Sequence, residues 1–212
     1  MSTSVAALVA VVGLGACVDA KKRFDEFDDR VPVVDASTVD RPIVPIADIN
    51  SHDGDGFYLA IKAINFNSTL HLYATWTLVM GDSPTLAGSY QPLSAPPGVD
   101  PPPRMPVGNP LASVAVPVDE TASFTAPVTG TFDGMANPIS GSPLGSQVTL
   151  VGTIKSTDLV CGTVTGTVCL GADAPCTATN GATPVEPATF AAVRVTDVTS
   201  LPAVDAIMDH CP

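Results

Sequence analysis

The sequence predicts an all-β protein, an antiparallel β-sandwich or partly closed barrel behind an extended N-terminal tether, with little helix outside a signal peptide. Three observations carry this. Residues 57–80 alternate apolar and polar side chains with a period of two, the mark of half-buried antiparallel strands. Five later segments repeat that pattern at regular spacing, separated by turn residues such as Asp133-Gly134. The 212 residues include 21 Pro and 17 Gly with only 14% charged, well short of the roughly 25% of ordinary soluble domains. Thr, Val, Pro and Gly in such abundance favour short strands joined by turns, and the length suits one domain plus appendages.

Residues 1–16 hold no charge and contain the apolar run Val5–Leu14. Ten residues span about 15 Å as a helix, too short to cross a bilayer but suited to the core of a signal peptide. The run ends in Leu14-Gly15-Ala16-Cys17. This segment resembles the lipobox of bacterial lipoproteins, a Leu and two small residues before a Cys that becomes the new N-terminus. The resemblance implies that the Cys17 thiol receives a diacylglyceryl group, residues 1–16 are removed, and the freed amine is acylated. Two or more acyl chains anchor durably, at about 0.8 kcal/mol per buried methylene. Signal peptides usually open with Lys or Arg, which Met1-Ser2-Thr3-Ser4 lacks; a misassigned start codon, with a longer true basic region, would explain it. A secreted, unlipidated chain and a buried helix of an unexported one are the competing readings.

Five cysteines are an odd number, and setting Cys17 aside for lipid leaves Cys161, Cys169, Cys176 and Cys211. In an exported protein four cysteines make two disulfides, and three pairings can form. The favoured one joins Cys169 to Cys176 around the turn at 170–175, and Cys161 to Cys211 at the carboxyl end. Zinc is the weaker alternative, since no Cys-x-x-Cys pair occurs.

Residues 17–56 read as a lipid-anchored acidic tether leading to a single β domain over 57–212. Residues 18–56 carry 10 of the 21 acids and 5 of the 9 bases, with Pro32, Pro42 and Pro45 opposing regular structure. The stretch Arg41–Ile46 could lie along the domain as an edge segment. Asp48-Ile49-Asn50-Ser51-His52-Asp53-Gly54-Asp55-Gly56 looks like a calcium loop, but aligning Asp55-Gly56 to loop positions 5 and 6 puts Lys62 where the closing acid belongs. An Asp/Gly turn entering the first strand is the plainer reading.

In the first hairpin Phe57, Leu59, Ile61 and Ala63 share a face with Leu70, Leu72, Ala74, Trp76, Leu78 and Met80, with a turn at 65–68 and Ala63 expected opposite Leu70. Trp76, the sole Trp, falls on this core face. Further strands are expected at 111–118, 122–132, 146–154, 160–169 and 188–196, and a helical turn or two at 202–209 after Pro202. Residues 92–110 hold eight prolines and read as a stiff polyproline-like connector. Cys161-Gly162-Thr163-Val164-Thr165-Gly166 and Thr189–Val195 resemble segments of hypothetical cell-envelope lipoproteins of unknown function, which implies no activity.

The net charge of −12 offers no basic face for phosphates, so nucleic acid is not an expected partner, and an anionic lipid surface would repel the chain. Gly81-Asp82-Ser83-Pro84 resembles the nucleophile block of the Gly-Asp-Ser-Leu hydrolases, but their Asp-x-x-His block is absent: Ile207 stands three positions before His210. Gly141-Ser142-Pro143-Leu144-Gly145 is no nucleophile elbow, because its Ser is misplaced. Asp82, Asp119, Glu120, Asp133 and Asp158, the candidates for a glycosidase pair, sit mostly at turns, where Asp caps the backbone. Asn67-Ser68-Thr69 matches a glycosylation sequon within the hairpin turn. No catalytic residue, metal site or cofactor is expected. The outward face of the hairpin carries Tyr58, Lys62, His71 and Tyr73, a patch that could bind glycan or a small ligand. The reading is thus a non-catalytic, lipid-anchored envelope protein with a structural or protein-interaction role, held to the membrane by Cys17 and placed at the outer membrane because Val18 is not Asp. A carbohydrate- or small-ligand-binding lipoprotein is the first alternative, and an unrecognised hydrolase the second.

Overall fold

A computed structural model describes residues 45–211. Eight strands form one antiparallel sheet: β1 (Gly56–Ala63), β2 (Ser68–Val79), β3 (Thr85–Pro92), β4 (Leu111–Pro117), β5 (Ser123–Phe132), β6 (Leu144–Ser156), β7 (Leu159–Leu170) and β8 (Ala182–Val195). The order is β4-β3-β2-β1-β8-β7-β6-β5, so every strand lies beside its sequence neighbour and β1 also pairs with β8. The sheet curls until β4 faces β5, which the short turn Val118–Ala122 joins to it. A Cβ on Gly130 of β5 would collide with the Leu111 side chain of β4. No ladder closes this last seam among the described residues. Of the two expected architectures, the partly closed barrel is the one formed, in simple up-and-down order.

Curvature comes from irregularities within long strands. Register shifts interrupt β3·β4 at Leu86/Gly88, β6·β7 at Ile154/Ser156 and β7·β8 at Val164/Gly166. Such bulges bend and twist a strand. Gly166 takes φ 129°, and a Cβ there would run into the Gln147 carbonyl, so the bulge requires glycine.

The expected strands are present, with β8 beginning at Ala182 rather than 188 and the helical turn formed as α1 (Val204–Met208). Two differences have local causes. β3 is not legible in the sequence because Gly88, Ser89 and Pro92 dilute its pattern; Gly88 sits where Tyr90 and Trp76 leave no room for a side chain. In the first hairpin Ala63 faces Ser68 and Ile61 faces Leu70, two residues from the expected pairing. A 3₁₀ turn over Ile64–Phe66 closes on Asn67, whose left-handed φ of 45° tightens the loop. A slip of two keeps every side chain on its expected face.

The lumen is solid. Phe57, Trp76, Tyr90, Phe124, Leu150 and Phe190 fill it, Trp76 being 1% exposed. The Trp76 ring lies 4.6 Å from Phe57 and 6.5 Å, edge-on, from Phe124. Towards the end carrying Phe66 and Ile139 the packing leaves only an apolar cavity of about 30 Å³.

The packed unit starts ahead of the residue-57 boundary. Ile49 is buried, Asn50 bonds both the N–H (2.6 Å) and C=O (3.1 Å) of Leu78, and Ser51 does the same for Trp76. Residues 49–51 thereby take β1's place beside the overhanging end of β2. Ile46 packs on the core, while 41–44 of the proposed edge segment lie outside the described residues. Likewise, the proline-rich stretch is more than a connector: Leu93, Ser94 and Ala95 are buried, and Leu93 bridges to Pro106.

Candidate functional site

The hairpin register places Tyr58 opposite Tyr73 and Ala60 opposite His71, so the four predicted patch residues do share the outer barrel face. The expectation that they form an exposed patch is corrected. Tyr58 is 0% exposed and His71 6%, Tyr73 is half-buried, and only Lys62 is open to solvent. The chain after β8 runs across this face and seals it. Val198, Leu201, Val204, Ile207 and Met208, with Leu93, pack on Tyr58, Ala60, Ala191 and Val195 as a second, smaller core.

Arg104 organises the polar part of this cover. Its guanidinium donates to the carbonyls of Pro202 (2.6 Å) and Leu201 (3.2 Å) and to the Tyr58 hydroxyl (3.3 Å), and lies 5.3 Å from the centre of the Tyr58 ring. The Tyr58 hydroxyl is 2.6 Å from His71 Nδ1. Arginine only donates, so the Tyr58 oxygen accepts from Arg104, and with the imidazole proton on Nε2 the Tyr58 hydroxyl donates to Nδ1. Burial, reinforced by the Arg104 charge, holds the His71 pKa down to about 4. Burial also raises the Tyr58 pKa, opposed by its hydrogen bond to Arg104. Among the described residues no carboxylate pairs with Arg104, which is held at φ 53°, unusual for a bulky residue. The cluster is a neutral imidazole bonded to the Tyr58 phenol, beside a cation with no carboxylate partner among the described residues.

A second arginine closes the barrel end where β1 begins. Arg194 lies 4.7 Å from the centre of the Phe57 ring, pairs with Asp55 (3.0 Å) and Asp158 (3.1 Å), and donates to the carbonyls of Asn50 (3.1 Å) and Thr157 (2.8 Å). It gathers the entry segment, the β6–β7 turn and β8 at one point. Charged hydrogen bonds of this kind contribute about 1.5–3 kcal/mol each when shielded; Asp158 is largely exposed, so its share is discounted. Arg194→Met is expected to cost about 2 kcal/mol in chemical denaturation, with Asp158→Asn nearly silent; equal costs would mean the buried side of Arg194 contributes little.

The remaining candidates are structural. Asp55 is committed to Arg194 and to the His52 N–H, and Asp48 caps Asn50 N, so the calcium-like loop is a turn. Among the described residues no three His, Cys, Asp or Glu side chains are grouped to hold a metal. Ser83 lies in the exposed bend after β2. Asp119 caps the β4–β5 turn through Thr121 and Ser123, which lowers its pKa, and Asp133 caps Met135. Arg104 and Arg194 are the consequential residues that sequence reading passed over. Their only signal was rarity, since residues 45–211 contain four basic side chains.

All four domain cysteines are paired as favoured, Cys161 with Cys211 and Cys169 with Cys176, each with Cα atoms 5.4 Å apart. Their thiols are therefore unavailable to zinc. Cys17, the expected signal peptide over 1–16 and the expected tether over 17–44 lie outside the described residues. No described helix is long and apolar enough to cross a membrane. No protein-family model, curated protein or solved structure matches the chain.

Proposed function

We propose that the chain is an exported, lipid-anchored cell-envelope protein whose barrel serves a structural or protein-interaction role without catalysis. The observation that carries this reading is the cysteine pairing. Four of five cysteines are consumed within the domain, and the one left over, Cys17, stands at the lipobox position. Disulfides persist in oxidising compartments, as export requires. The filled lumen supports a role for the outer surface, since Trp76, Tyr90 and the phenylalanines occupy the space a carried ligand would need. With Tyr58 and His71 covered, the glycan-binding alternative loses its aromatic platform. Residues 45–211 hold 14 acids against four bases, two of them committed inside the fold, so a partner surface would be basic or uncharged.

The test is the intact mass of native, detergent-extracted protein. Loss of residues 1–16, added acyl chains, and four thiols released only by reduction are expected. Cys17→Ser should move the protein from the membrane to the soluble fraction with both disulfides intact. A full-length, unlipidated mass, or a serine variant still in the membrane fraction, would sink the proposal.

A further inference from the structure

Residues 196–211 form a strap fixed at both ends, by β8 at Val195 and by the Cys161–Cys211 bridge. Between these points it rests on the outer face of β1 and β8 through a few apolar side chains and through the two carbonyls held by Arg104. Arg104 is in turn held by Tyr58, and Tyr58 by Nδ1 of His71. We propose that this strap is an acid-released cover, opened when His71 takes a second proton.

Protonation removes the acceptor of the Tyr58 hydroxyl and places a second cation in the cluster that already holds Arg104. The groups facing His71 do not compensate. Tyr58 and Lys62 come from β1, Tyr73 from β2 and Arg104 from the proline-rich stretch, so none is an acid. On the strap, Asp197 is turned to Thr199 and Ser200, while Asp205, Asp209 and His210 are exposed and none pairs with Arg104. The small core under the strap is separate from the barrel lumen, so the strap can lift without unpacking Trp76. The bridge at Cys211 keeps the lifted segment attached and able to return. Opening bares an apolar strip with Tyr58 at its centre.

Each pH unit between the free and covered affinities of His71 changes the open-to-closed ratio tenfold. With the covered imidazole at about 4 against 6.5 when free, the limit is about 300-fold. Hydrogen exchange read by mass spectrometry, corrected for intrinsic rates, should show residues 196–210 losing protection between pH 7 and pH 4 towards that limit. Peptides from β6 and β7 should keep theirs. His71→Asn, which can accept from Tyr58 but takes no proton, should keep the strap closed at pH 4, and Arg104→Met should open it at pH 7. In the unmodified protein the His71 ring resonances should titrate with the midpoint of strap opening. Strap protection unchanged down to pH 4, strap and barrel opening together, or a His71→Asn strap that opens at the unmodified pH would each overturn the proposal.

Discussion

Trp76→Ala is expected to lower the stability of the barrel by about 4 kcal/mol, the range found when a large aromatic is cut from a core. The side chain is 1% exposed and touches three walls at once, meeting Phe57 from β1, Tyr90 from β3 and Phe124 from β5. Its removal opens a void that these neighbours cannot readily refill, because Phe57 and Tyr90 are fixed on the strands flanking β2 and Phe124 on β5. It also deprives the buried Tyr90 hydroxyl of the indole N–H, 3.4 Å away. Trp76→Phe keeps much of the volume and should cost about half as much. Trp76 is the sole tryptophan, so unfolding must be followed by far-ultraviolet circular dichroism in urea rather than by fluorescence. The midpoint should fall with the slope unchanged. A loss below about 1 kcal/mol would mean the lumen can collapse onto the vacancy and is looser than its packing implies.

The same residue shows how far the sequence could be read. A barrel wall has one dry and one wetter side, so its strands alternate, and Trp76 could be assigned inward from Leu72 and Leu78 alone. The disulfides are accessible through counting, once the lipobox resemblance sets Cys17 aside. The choice between sandwich and barrel was not, because alternation serves both; it is decided by β1 pairing with β8, residues such as Tyr58 and Val193 far apart in the chain. β3 was hidden by the glycine that makes room for Trp76. The outer patch failed for a related reason. Tyr58, His71 and Tyr73 were assigned to the right face, but a face is open only if nothing later covers it. The cover is held by Arg104, whose carbonyl partners lie 97 and 98 residues further on. Nothing in Pro101-Pro102-Pro103-Arg104 announces that contact.

Both arginines solve one problem. A barrel satisfies the backbone groups of its strands, but the segments that seal its end and its outer face have carbonyls without ladder partners. A guanidinium presents five donors in a fixed plane, and here the two guanidinium groups serve four such carbonyls, those of Asn50 and Thr157 at the end and of Leu201 and Pro202 on the face. Lysine, with one compact head group, could not span either pair. In a domain with so few basic residues, these two are structural fasteners rather than surface charge.

The disulfides should contribute unequally, in the order of the loops they close. The Cys161–Cys211 bridge spans 50 residues and Cys169–Cys176 only 7. Loop-closure entropy then assigns about 4 kcal/mol to the first and about 2.5 kcal/mol to the second. The double variant Cys161→Ala/Cys211→Ala should therefore lose more stability in urea than Cys169→Ala/Cys176→Ala. It should also free the end of the strap, so that residues 196–210 exchange rapidly at neutral pH, whereas the second pair of substitutions should affect only the loop before β8. A larger loss from the short bridge would show that native contacts, not chain entropy, set the contribution of each. That result would leave the long bridge as a tether for the strap more than a support for the barrel.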